Sequence, residues 1–124
     1  IAPNRQRPRY RKPQQLADEL NVLLSMLANH GHQQDDQRDK AFYRAANQLG
    51  LYTIVRLPPE RCELAGFSQA VERIALAYPL LKPRLLKAMA AVAMHDDEVQ
   101  ALELAMIRAV AAAIDCPVPE FLLQ

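Results

Sequence analysis

Leucine residues at helical spacing near the N-terminus place the strongest constraint on how this chain can fold. Five of them recur every three to four residues, which puts them on one face of a helix; they are Leu16, Leu20, Leu23, Leu24 and Leu27. Alanine and leucine make up much of the 51% hydrophobic content, and tryptophan is absent. Because both residues lose little side-chain entropy in a helix, the sequence predicts an all-α fold.

The same reasoning predicts about five helices with short connections, packed as a bundle. Pro13 suits the first turn of a helix, where a missing N–H costs nothing. Gly31 and Gly50 stand where the first two helices should end, and Pro79 stops the third. The expected helices cover about 13–30, 35–49, 64–78, 80–94 and 99–114, and residues 51–57 form an extended connector.

The last helix and the C-terminal segment complete the expected core. Four apolar residues of this helix recur at helical spacing and are expected to face inward: Leu102, Met106, Val110 and Ile114. Pro117 stops the helix. A short turn after it can fold Phe121 and Leu122 back onto the bundle.

Charge divides the chain into a basic arm, residues 1–12, and a single helical domain, residues 13–124. The arm holds five of the 15 basic residues and no acid, so the remainder has 10 basic and 14 acidic residues, a net charge of −4. The arm is read as a flexible tail, or as a juxtamembrane segment because cations cluster on the cytoplasmic side of membrane spans. Nucleic-acid binding ranks third, since only Tyr10 supplies a stacking ring, and no nucleic-acid partner is expected.

Residues that could carry catalysis are few. HExxH, GxSxG, P-loop and GxGxxG motifs are absent, and three glycines leave little scope for phosphate-binding loops. We therefore expect no enzymatic activity of this chain. His30 and His32 are interpreted as a solvated loop rather than a metal site, and His95 as a surface ion pair or helix-end contact rather than a catalytic base.

An acidic turn between the last two helices is the most distinctive segment of the sequence. It reads HDDEVQALE over residues 95–103, and two interpretations remain open. Asp96 or Asp97 can cap the fifth helix, whose N-terminal end favours negative charge. Alternatively, Asp96, Asp97 and Glu103 can bind a weak divalent cation through carboxylate oxygens.

The C-terminal half resembles the C-terminal region of large bacterial membrane-bound zinc metallopeptidases of the HtpX-like family, zinc-dependent proteases with chaperone function. The matching pattern is a leucine- and alanine-rich helix, an acidic turn, and a helix that ends in DCPxP. This unit is also similar to TerB-like domains of tellurite resistance. The residues that carry the resemblance are Leu85, Leu86, Ala88, Asp96, Val99, Glu103, Ile107, Arg108, Ile114, Asp115, Cys116, Pro117 and Pro119.

This resemblance, which covers about residues 40–123, implies a role for the chain. It implies a non-catalytic C-terminal domain on the cytoplasmic face of the bacterial inner membrane, engaged in regulation, oligomerisation, or binding of a partner or protein substrate. Zinc would belong to the parent's peptidase domain, and the rest of the parent would be one partner. One departure is that the family's glycine after the first aspartate is Asp97 here. The alternative is an independent TerB-like metal-sensing or stress-response domain.

Overall fold

The chain folds into a bundle of five α-helices, which confirms the predicted fold class. The structure is a computed structural model and describes residues 7–96 and 98–122. The helices are α1 (Ala17–Gly31), α2 (Asp35–Gln48), α3 (Leu64–Ile74), α4 (Lys82–Ala93) and α5 (Ala101–Ala113). Short 3-10 turns lie at Pro13–Leu16, Pro59–Arg61 and Glu120–Leu122, and within the described ranges no residue belongs to a β-strand.

Helix α1 is the central element of the bundle and contacts each of the other four helices. It is buried around most of its circumference, because Ser25 and Asn29 are enclosed along with its leucines. A helix enclosed in this way must find partners for its polar side chains inside the protein. None of the helices in the described part of the chain is both long and apolar enough to cross a membrane.

The extended connector between α2 and α3 supplies those partners. The Leu57 backbone N–H donates to Ser25 Oγ at 2.9 Å, and Asn29 Nδ2 donates to the Leu57 carbonyl at 2.9 Å. Arg56 Nη1 donates to Asn29 Oδ1 at 2.6 Å, while its Nε donates to Asp39 Oδ1 at 2.7 Å. Side chains of α1 thus satisfy both backbone groups of Leu57, so the connector is held at this residue without a partner strand.

The predicted helix bounds differ from the structure at the end of α3 and at three helix starts. Helix α1 begins at Ala17, after a 3-10 turn over the first four predicted residues, and α4 and α5 each begin two residues later than predicted. Helix α3 ends at Ile74, four residues before the predicted end at Tyr78. Beyond it the chain pairs with the arm: Arg9 N–H donates to the Leu76 carbonyl at 2.7 Å, and Tyr78 N–H donates to the Tyr10 carbonyl at 2.8 Å. The boundary predicted at residue 12, between the basic arm and the helical domain, stays a prediction. Residues 1–6 of the arm lie outside the described residues.

The predicted inward face of α5 is partly wrong. Leu102 is 51% exposed, whereas Glu103 and Ile107 are fully buried together with Val110 and Ile114. The buried face is thus rotated by about one residue relative to the apolar pattern at the helix start. In the C-terminal turn Leu122 is buried, as expected, but Phe121 is 44% exposed.

Replacing Asn29 tests the hydrogen bonds that join α1 to the connector. Asn29→Ala would remove the partners of the Leu57 carbonyl and of Arg56 Nη1, so we expect it to lower the free energy of unfolding by about 1–3 kcal/mol. Urea unfolding followed by circular dichroism measures this. Asn47→Ala, at an exposed site on α2, is the control, and an equal loss in both variants would contradict the interpretation.

Candidate functional site

A cluster of polar side chains occupies the end of the bundle where α1 ends and α5 begins. Two of the three predicted metal ligands, Asp96 and Glu103, belong to it, whereas Asp97 lies outside the described residues. The two carboxyl groups differ in environment: the Asp96 side chain is 40% exposed, and Glu103 is fully buried. Two histidines, His32 and His95, complete what we call the polar cluster.

Glu103 is the most unusual member of the polar cluster. Its Oε1 accepts a hydrogen bond from the Gln100 backbone N–H at 3.1 Å, and its Oε2 is buried without a hydrogen-bond partner. Burial raises the pKa of Glu103 to about 7, because removal from water disfavours the charged form. The Gln100 N–H lowers this pKa and the nearby Asp96 charge raises it. The side chain can therefore gain or lose a proton near neutral pH.

Gly31 makes the space for this carboxyl group. It is the last residue of α1, and a Cβ atom at this position would overlap the carboxyl atoms of Glu103. The absence of a side chain lets α5 approach α1 closely enough to enclose the acid. Gly31 was expected only to end the first helix, so its packing role is a function that sequence reasoning missed.

His32 is buried and does not lie in a solvated loop, so that prediction is wrong for His32. The residue is 6% exposed, with Nε2 at 3.2 Å from the Val92 carbonyl and Nδ1 at 3.5 Å from Asp96 Oδ2. Both ring nitrogens thus face oxygen atoms, and a neutral imidazole can donate to only one of them. The neighbouring His30 is exposed, as predicted, but it lies in the last turn of α1 and not in a loop.

His95 connects the polar cluster to the protein surface. Its ring packs edge-to-face against His32, with centroids 5.5 Å apart, and its Nδ1 is buried without a hydrogen-bond partner. The side-chain partner expected for His95 is not found in the described part of the chain, because the Asp96 carboxylate turns toward the His32 ring instead. The only helix-end contact of His95 in the described residues is its backbone N–H, which donates to the Val92 carbonyl at 3.4 Å.

The prediction that Asp96 caps the fifth helix is wrong, and Asp97, the alternative cap, lies outside the described residues. Helix α5 begins later than expected, at Ala101, and Gln100 is its N-cap residue. Glu103 satisfies the N-cap N–H from within the first turn, which is half of a capping box. Asp96 Oδ1 instead accepts from the Glu98 N–H at 3.2 Å and shapes the turn before the helix.

The prediction of a divalent cation at Asp96, Asp97 and Glu103 stays a prediction. Among residues 7–96 and 98–122, no three His, Cys, Asp or Glu side chains are grouped so that they could hold a metal ion. Asp97 was not among those residues, so the complete set of three carboxylates is not covered by this finding. Glu103 faces Gly31 in the interior, whereas Asp96 contacts His32.

An open groove adjoins the polar cluster, and His95 belongs to both. The groove has a volume of about 440 Å³ and runs between α2, α4 and the C-terminal turn. We call it the α2–α4 groove; its lining residues are Arg44, Gln48, Lys87, Ala91, Met94, His95 and Phe121. It contains two permanent cations and no acid. Sequence reasoning missed it because its residues come from three separate segments.

Comparison of the chain with protein-family models, with curated proteins and with solved structures finds no match. Function is therefore inferred from the residues and their geometry.

Replacing the buried acid tests its proton linkage to stability. A folded-state pKa of about 7 against an ordinary value of 4.5 means that the folded protein holds this proton more tightly. The contribution of this tighter proton binding to the free energy of unfolding is fully present below pH 4.5 and is lost as the pH rises through about 7. At about 1.4 kcal/mol for each pKa unit, the expected fall in the free energy of unfolding is roughly 3 kcal/mol.

Glu103→Gln should abolish this fall, and at pH 8 it should be more stable than the unmodified chain. Urea unfolding across pH 4–8 measures both. Glu98→Gln, at an exposed position of the same turn, should keep the fall. Parallel stability profiles for Glu103→Gln and the unmodified chain would show that this acid is not the linked group.

Substitution of Gly31 tests the close approach of α1 and α5. Gly31→Ala should displace the Glu103 carboxyl and lower the free energy of unfolding by about 1–3 kcal/mol, as overpacking does. Gly66→Ala is the matched control, because a Cβ there meets only an ordinary contact with Val22. That change should stabilise α3 by about 0.5–1 kcal/mol.

Combining Gly31→Ala with Glu103→Ala should recover part of the loss, since the smaller residue leaves room for the new methyl group. Thermal unfolding of the two single variants and the double variant gives the coupling energy. Strictly additive effects would mean that the two residues do not compete for space.

Proposed function

We propose that this chain is a non-catalytic, partner-binding domain of a membrane-bound zinc metallopeptidase. The observation that carries the binding role is the α2–α4 groove, whose lining combines apolar side chains with permanent positive charge. The ligand class is an acidic peptide segment that carries an apolar side chain. In the parent protein this segment would come from a protein substrate, from another part of the protease, or from a second copy of the domain.

The charges of the groove favour an acidic ligand. Arg44 on α2 and Lys87 on α4 border it, and neither has a carboxylate partner among the described residues. The domain outside the arm has an overall charge of −4, so this local excess of positive charge is not a general property of its surface. Complementary charge mainly sets partner choice and association rate.

The apolar part of the groove provides the contact area. Ala91 and Met94 form one side, and Phe121, 44% exposed, forms the other. Methionine is unbranched and adapts to ligands of different shape. A partly exposed phenylalanine beside a methionine suits an amphipathic helix or a short apolar segment, which binds such grooves through a few anchoring side chains.

The resemblance to the HtpX-like metallopeptidases supports the parent assignment. The apolar residues that carry it, including Leu85, Leu86, Ile107 and Ile114, are buried in the bundle. They would thus preserve the scaffold, while the groove would adapt to a partner. In this proposal zinc belongs to the parent's peptidase domain, and the chain lies on the cytoplasmic face of the inner membrane.

Binding of a designed peptide tests the groove. The probe is a fluorescein-labelled amphipathic peptide of leucine and glutamate, with a leucine–lysine peptide as its charge-reversed counterpart. We expect the acidic peptide to bind the unmodified chain. Lys87→Glu should lower the affinity for this peptide at least about tenfold, equivalent to about 1.4 kcal/mol. Arg108→Glu, at an exposed position on α5, should leave the affinity within about twofold.

Fluorescence anisotropy gives the dissociation constants, and NMR chemical-shift changes locate the bound peptide. Equal binding of the acidic and basic peptides, or shift changes confined to a surface other than the groove, would refute this binding role. The parent assignment has a separate test: the coding sequence should contain an upstream HExxH motif and apolar membrane spans. Their absence from the open reading frame would refute the parent while leaving the groove result intact.

A further inference from the structure

Leu80 projects into solvent from the segment that joins α3 to α4. It is 90% exposed, while the next residue, Leu81, is buried in the core. Backbone hydrogen bonds from Leu81 and Lys82 to the Tyr78 carbonyl, at 2.9 and 3.3 Å, close the turn that presents it. A single exposed leucine is common on protein surfaces, so its meaning depends on its surroundings.

Basic side chains surround Leu80, and the arm supplies one of them. The pairing of residues 9 and 10 with residues 76 and 78 fixes this part of the arm beside the turn. The Arg11 guanidinium lies 4.8 Å from the centroid of the Tyr78 ring, and its Nη2 donates to the Tyr78 hydroxyl at 3.2 Å. Arg84, in the first turn of α4, borders the same open recess, which has a volume of about 560 Å³.

Acidic residues are absent from both segments that build this surface. The sequence has none before Asp18 and none between Glu72 and Asp96. Among the described residues no carboxylate pairs with Arg11 or Arg84, and the Glu19 carboxylate pairs with Arg73 at 3.0 Å. Arg73 in turn lies over the Tyr10 ring, at 5.4 Å. The surface around Leu80 therefore keeps its positive charge.

We propose that Leu80, together with Arg11 and Arg84, forms a contact surface for the anionic interface of a lipid bilayer; we call it the Leu80 patch. Anionic lipids give a bilayer a negative surface potential that attracts clustered arginine and lysine. Leu80 would enter the boundary between headgroups and acyl chains, as apolar residues of peripheral proteins do. Tyr78 would lie at the headgroup level, where tyrosine is enriched.

The geometry favours a bilayer over the other polyanions that this charge could attract. A peptide ligand would bury its own anchoring side chain in the recess, whereas Leu80, at 90% exposure, is itself the apolar side chain that needs a cover. Single-stranded nucleic acid needs a free aromatic ring for stacking, and the Tyr78 ring is covered by Arg11. The Leu80 patch is separate from the α2–α4 groove and does not depend on the partner-binding role.

Vesicle co-sedimentation of the 124-residue chain tests this inference. The probes are vesicles of phosphatidylcholine alone and of phosphatidylcholine with phosphatidylglycerol. We expect binding to the anionic vesicles only, with a decrease as salt screens the charges. Leu80→Ser should weaken binding about tenfold, because the buried leucine side chain is lost. Arg84→Gln should weaken it about threefold to fivefold.

Two matched variants serve as controls. Leu102→Ser removes another exposed leucine, and Arg108→Gln removes another exposed cation; both should bind as the unmodified chain does. Circular dichroism verifies that every variant is folded. Equal binding to both kinds of vesicle, or equal losses for Leu80→Ser and Leu102→Ser, would overturn the inference.

Two further comparisons identify other sources of binding. Tighter binding to single-stranded DNA than to anionic vesicles at the same salt would assign the surface to nucleic acid. Loss of vesicle binding on removal of residues 1–8, with no effect of Leu80→Ser or Arg84→Gln, would show that the arm binds by charge alone. Either result would also overturn the proposal.

Discussion

Enclosure of α1 by the other helices is the constraint on which the rest of the structure depends. Each fully buried leucine on this helix contributes about 1.5–3 kcal/mol relative to exposure, and this burial requires neighbours on nearly every side. The polar residues of α1 consequently lie inside the protein. Ser25 and Asn29 hold the connector, and the end of the helix, at Gly31 and His32, forms part of the polar cluster. One helix thus organises both the fold and the candidate site.

Local signals in the sequence predicted the helices well. Proline in first turns and glycine near helix ends act on a few neighbouring residues. Pro13 accordingly begins the 3-10 turn that leads into α1, Gly31 is the last residue of α1, and Gly50 follows the end of α2. Gly50 even has the left-handed φ of 72° that such a position requires. The end of α3 was mispredicted because it depends on pairing with the arm, a contact between distant parts of the chain. The start of α5 was mispredicted because Glu103 satisfies the N-cap.

The candidate site was much harder to predict than the fold. A glutamate near the start of a helix ordinarily faces solvent, and nothing within its own segment indicates that Glu103 is enclosed. Its burial depends on a missing side chain at Gly31 in another helix. Likewise, the burial of His32 depends on the Val92 carbonyl at the end of α4. The one available signal was that His32 directly follows the end of the leucine-rich first helix, which places an imidazole beside an enclosed helix end.

The packing of Gly31 against Glu103 also restricts how this protein can diverge. A side chain at position 31 and a carboxyl group at position 103 claim the same space, so the two sites cannot drift independently. A descendant that acquires alanine at position 31 would be under pressure to shorten residue 103, and the loss of the acid would remove the reason to keep a glycine. Loss of the glutamate at position 103 is therefore expected to precede loss of the glycine at position 31, and related chains should keep both residues or neither.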